Sequence, residues 1–132
     1  MMLARWKNQM VRDFDGLVCA SGEAFTLQGS AMVNVQQAQG QHDWIDVGIM
    51  AQAETGAGLY TVKCGESAAH GSIGVIVLES RQSGEPIWTF VSKESNPFDQ
   101  IVIKGSYVLV LSTSGTVFRF VAPLDRVAVL PG

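Results

Sequence analysis

The sequence predicts a mainly β fold: an antiparallel β-sandwich or barrel of short strands, preceded by one N-terminal amphipathic helix. Three observations carry this expectation. From about residue 24 the apolar residues recur with a period of two. The runs are short and are separated at roughly even spacing by turns rich in Gly, Pro, Ser and Asn. No interval between strands is long enough for the crossover that a parallel sheet requires.

The helix is placed over about residues 3–14. Leu3, Trp6, Met10 and Phe14 follow one another at spacings of three, four and four, which sets them on one helical face, and Gly16 would end the segment. One feature opposes it. Arg5 and Lys7 stand near the start and Asp13 and Asp15 near the end, the reverse of what the helix dipole favours. That penalty is only tenths of a kcal/mol per charge, roughly, so packing of Trp6 and Phe14 is expected to outweigh it.

The β-rich body is placed over about residues 24–130. "AFTLQ" (24–28) alternates with Phe25 and Leu27 inward, and "AMVNVQ" (31–36) sets Ala31, Val33 and Val35 on one face. "WIDVGIMAQA" (44–53) alternates throughout, so Ile45, Val47, Ile49, Ala51 and Ala53 are expected to share a face. "LYTVKC" (59–64) returns antiparallel after the turn "ETGAG". "IGVIVLES" (73–80) reads as a buried strand, and "IWTFVSK" (87–93) follows the turn "RQSGEP". "FDQIVIK" (98–104), "YVLVLS" (107–112) and "TVFRFV" (116–121) are joined by Gly105-Ser106 and Ser114-Gly115, connections with hairpin chemistry. A last short strand is placed at 126–130.

At 132 residues the chain is most simply one domain, 1–132, able to bury a core without a metal or disulfide. Apolar residues make up 47% of it and charged residues 16%, so part of the surface must be uncharged, which favours an oligomer or a partner-binding face. "VIVL" (75–78) and "YVLVL" (107–111) are apolar on both faces, so at least two strands need cover on both sides. The candidate covers are a second sheet, the N-terminal helix and another copy of the chain.

The net charge is −3 and the nine Lys and Arg residues are scattered, which argues against a nucleic-acid partner. No window approaches the ~18 continuous apolar residues of a membrane span. The start, "MMLARWKNQM", lacks the apolar core of a secretory signal, so Cys19 and Cys64 are expected to be free thiols in a reducing cytoplasm.

Candidate chemistry is sparse. "KCGESAAHGS" (63–72) brings Cys64 and His70 into one loop region, where a histidine could draw the proton from a cysteine nucleophile. A buried Cys64 beside a solvated small-residue loop explains the same residues. His42, beside Asp43, is a second possible ligand or proton carrier, but there is no Cys-x-x-Cys or His-x-x-x-His spacing, and no metal or cofactor is expected. Neither Gly-rich stretch has the ending of a phosphate loop. Trp44 and Met50 fall on the face opposite Ile45 and Val47 and are expected to form an apolar patch, with Tyr107 a further aromatic anchor. The reading that follows is a non-catalytic binding or assembly module acting through an apolar, low-charge surface. It would meet its own copy, another protein or a small apolar ligand. The alternative is a small thiol-dependent enzyme using Cys64 and His70.

Overall fold

The computed structural model describes residues 6–28, 31–37, 44–55, 57–68, 71–105, 107–121 and 129–131. The described residues are mainly β. The strands are β1 (Met10–Arg12), β2 (Gly16–Cys19), β3 (Glu23–Gln28), β4 (Ala31–Gln37), β5 (Trp44–Thr55) and β6 (Tyr60–Ser67), then β7 (Gly74–Ser80), β8 (Pro86–Ser92), β9 (Phe98–Lys104), β10 (Tyr107–Ser112), β11 (Val117–Val121) and β12 (Val129–Pro131). They form an eight-stranded sheet in the order β1-β5-β6-β7-β8-β2-β3-β4 and a four-stranded sheet in the order β12-β11-β10-β9. Every pairing is antiparallel. Neither sheet closes into a barrel.

The two sheets share one core. Val62 and Cys64 of β6, Ile76 and Leu78 of β7, and Trp88 and Phe90 of β8 meet Phe98, Val108, Val110, Phe118 and Phe120 of the small sheet. The contact is aromatic at its centre. Trp88 stacks on Phe120 with ring centroids 4.8 Å apart, and Phe90 meets Phe118 edge-on at 5.0 Å. Gly74 makes room for this layer, because a Cβ there would lie 2.7 Å from the Phe98 ring.

The opposite face of the large sheet is buried too. Val75, Val77 and Val91 are covered by Trp6, Val11, Val47 and Ile73, with Ile45 and Ile49 packed alongside. Trp6 is pinned there by polar contacts. Its indole Nε1–H donates to Glu79 Oε2, and Lys63 Nζ lies 3.0 Å from the same oxygen. Lys63 also sits 5.9 Å from the Trp6 ring centroid. Glu79 is 9% exposed, and these two donors satisfy its carboxylate where water is scarce.

Three expectations are corrected. First, the helix expected over residues 3–14 does not run through the described part of that range. Residues 3–5 lie outside the described residues. After Trp6, residues 7–9 form a turn, with a 2.7 Å hydrogen bond from Gln9 N–H to the Trp6 carbonyl. Gln9 takes φ of 56°, which breaks any helical path, and β1 then pairs Val11 with Ile45. The helical spacing was coincidental. Trp6 and Val11 serve the covered face of the large sheet, whereas Phe14 packs against Val18 and Ala24. Second, strand structure begins well before residue 24, because β2 carries the fully buried Leu17. Third, β5 does not keep one face. Its pairing with β6 shifts between Ile49 and Ala51, leaving Met50 as the extra residue of a bulge. Ile45, Val47 and Ile49 therefore face the Trp6 side, while Ala51 faces the inter-sheet core. The strand placed at 126–130 is met only in part: β12 starts at Val129, and residues 122–128 lie outside the described residues.

At the bulge the backbones of β5 and β6 approach closely. A Cβ on Gly65 would overlap the Gly48 carbonyl oxygen and crowd Ile49 Cα. We therefore expect Gly65→Ala to lower unfolding free energy by about 3 kcal/mol or more in urea melts. An unchanged midpoint would show that the bulge yields. Trp6→Phe keeps an aromatic ring but removes the donor to Glu79 and leaves a cavity where the second ring packed. It should cost about 2–4 kcal/mol in the same measurement, a charge-assisted hydrogen bond plus the cavity.

Candidate functional site

The small sheet has one buried face and one open one. Strand alternation sends Val108 and Val110 of β10 inward, where they are 1% and 0% exposed. Tyr107, Leu109 and Leu111 point the other way and are half-buried. The ladder registers fix their neighbours. Leu109 lies between Val102 of β9 and Arg119 of β11, Leu111 between Gln100 and Val117, and Tyr107 between Lys104 and Val121. Leu130 of β12 occupies the register position beyond Arg119. The result is a contiguous apolar surface of Val102, Leu109, Leu111, Val117, Val121 and Tyr107, none of them exposed as a free side chain would be and none of them buried.

Two cations interrupt this surface and no acid does. Lys104 is exposed at the edge of the sheet. Arg119 lies over the Tyr107 ring, its guanidinium carbon 5.7 Å from the centroid. The Arg119 Nε is buried without a hydrogen-bond partner. None of the nine register positions on this face of β9, β10 and β11 holds a carboxylate. Asp99 falls at the irregularity in the β9–β10 pairing, and its charge is felt by Cys64 between the sheets.

A second concavity of about 340 Å³ opens at one end of the shared core. Phe90, Phe118 and Leu27 form its apolar floor, and Asp15, Ser92 and Glu94 its rim. Asp15 is already engaged, accepting from the Lys93 backbone N–H at 3.1 Å.

Of the residues singled out in the sequence, Cys64, Trp44, Met50 and Tyr107 are described, and Tyr107 lies on a different sheet from the other three. Cys64 lies in the inter-sheet core at 1% exposure, opposite Ala51. Burial, aided by the Asp99 charge and opposed by a backbone hydrogen bond at Ala51, raises its thiol from an ordinary 9.0 to about 12. Cys19, half-buried, is raised to about 11 by burial and by Glu23. Both shifts run opposite to what thiolate chemistry needs. His42 and His70 lie outside the described residues. Trp44 is half-buried beneath the Arg12 guanidinium, 5.5 Å from its ring centroid, whereas Met50 is 48% exposed at the bulge. Tyr107 belongs to the other sheet. Among the described residues no three of His, Cys, Asp and Glu are grouped to hold a metal ion, and no helix is long and apolar enough to cross a membrane. Sequence reasoning singled out the two-faced strand 107–111 but missed Arg119 and the register partners of Leu109. The signal was present in "TVFRFV", where Arg119 shares a face with Val117 and Val121.

In the native protein at pH 8, Cys64 should react with iodoacetamide at least roughly 100-fold more slowly than a cysteine peptide, and Cys19 should react faster than Cys64. Unfolding in urea should abolish the difference. Native labelling of Cys64 at the peptide rate would show an accessible, ionised thiol and revive the nucleophile. Neither a family model nor a curated protein nor a solved structure matches this chain.

Proposed function

We propose that the protein is a non-catalytic binding or assembly module whose working surface is the outer face of the four-stranded sheet. The observation that supports this best is the contiguous row of half-buried apolar side chains around Leu109. Three strands spaced about 4.8 Å apart, each about 17 Å long, make a flat pleated surface suited to packing against another layer. Scattered surface hydrophobes need no explanation, but a contiguous patch does. The low charge of the whole chain agrees with a face that spends its working life covered. The occupant is another copy of the chain or a different protein, and no cofactor enters this reading. The thiol-enzyme alternative has no observation in its favour, since Cys64 is sealed between the sheets.

Leu109→Glu places a charge at the centre of this face without touching the inter-sheet core. Where native mass measurement at tens of micromolar gives a dimer or larger assembly of the wild type, Leu109→Glu should give a monomer with nearly the same melting temperature. If the wild type is instead monomeric, its binding of an anilinonaphthalene dye should fall several-fold in the variant. A monomeric wild type with equal dye binding in both proteins would end this reading.

A further inference from the structure

We infer that the outer face of the small sheet docks an apolar segment of a partner protein that carries carboxylates, and that Arg119 reads one of them. The inference rests on the proposed role of that face and adds the chemistry of its occupant. Charge is what selects it. The chain as a whole is acidic at −3, yet this face carries Arg119 and Lys104 and no acid at its register positions. Two copies meeting through the same face would bring like charges together, which costs free energy and disfavours that pairing. A partner with carboxylates among its apolar residues would be complementary.

Arg119 is prepared for such a contact. Its guanidinium is laid across Tyr107, which orients the plane and lowers the entropy lost when a ligand arrives. Its Nε is shielded from water yet has no acceptor among the described residues. The guanidinium fork matches a carboxylate with two parallel bonds, and with Nε out of reach of an incoming group its terminal nitrogens would make them. Val102 and Leu109 beside it supply the apolar floor on which the rest of the segment would lie. A flat pleated surface of alternating side chains fits an extended protein segment better than it fits a compact small molecule.

The test uses the full chain, isotope-labelled, titrated with three blocked heptapeptides in which leucine alternates with glutamate, glutamine or lysine. The glutamate peptide should move the amide resonances of Leu109, Arg119 and Val121 and bind at least about tenfold more tightly than the glutamine peptide. Arg119→Met keeps the aliphatic stem, and its melting temperature should be nearly unchanged, because the Arg119 Nε has no acceptor among the described residues. It should erase the preference for glutamate while leaving glutamine-peptide binding intact. Equal binding of the glutamate and glutamine peptides at these residues would overturn the carboxylate inference and leave the face as an apolar interface. Self-association through the same residues, unaffected by Arg119→Met, would overturn it in favour of a second copy. Absence of any shift in β10 and β11 with all three peptides would overturn it together with the reading on which it rests.

Discussion

The whole arrangement depends on sealing β7 from both sides. Val75, Ile76, Val77 and Leu78 are consecutive and each is 0% exposed. A strand alternates its side chains, so four such residues in a row demand an apolar layer above and another below. The small sheet provides one through its aromatic cluster. The N-terminal segment provides the other, with a turn at 7–9 and the three-residue β1 in place of a helix through 7–14. It relies on Trp6, a single large ring held flat by Glu79 and Lys63. Glu79 is the next residue on the same strand face as Val75 and Val77. The seal therefore ends in a polar knot, where the sheet begins to meet water. Closing the second face needs little chain because β5 bends at its bulge and brings Ile45, Val47 and Ile49 over the same surface.

The same demand at β10 is answered only once. Its Val108 and Val110 join the shared core, and the outward row is left half-open. Burying a Leu or Val side chain completely stabilises by about 1.5–3 kcal/mol. These residues are already part-covered by their neighbours, so each has less to give. Summed over a handful of side chains, the gain is several kcal/mol, of the same order as the roughly 4–15 kcal/mol lost when two molecules become one. Apolar area alone would give weak, indiscriminate attachment. A directed polar contact at the centre of the patch is what would turn it into selective attachment, and Arg119 is the group placed to make one.

Much of the β architecture was legible from periodicity. Strands in the second half start and stop close to the points where turn residues interrupt the apolar runs, as at Gly105 and Ser114-Gly115. What failed did so for identifiable reasons. Spacings of three and four around Trp6 and Met10 imitate a helix, but a period is a statement about one element. Trp6 and Val11 act in two different elements, separated by the turn at Gln9. The bulge at Met50 was invisible because a two-residue alternation carries no mark of one extra residue. Its only trace is Gly65, whose missing side chain lets the Gly48 carbonyl come close, and the two are far apart in sequence. Cys64 looked reactive because it neighbours a polar loop, whereas its position in the β6 alternation places it inside. Arg119 was passed over since a lone arginine in a strand looks like ordinary surface. Only the register reveals that it stands among apolar side chains on every side.

A β protein can be extended at an edge or on a face, and the edges here are mostly guarded. β1 and β12 are three residues long, and β12 ends in Pro131, which cannot donate to a further strand. β9 is broken near Asp99 and finishes in Lys104, both of which discourage pairing. β4 is the exception: seven residues with no charge and no proline, and with Val33 and Val35 exposed at 36% and 37%. Yet β12 approaches β4, narrowing the room for another strand beside it. Two exposed valines make a smaller hydrophobic surface than the six side chains around Leu109. An edge also recognises little beyond backbone, whereas a face can discriminate through its side chains. The guarded edges and the open, cation-bearing face thus point in one direction: selective contact made through side chains, layer against layer.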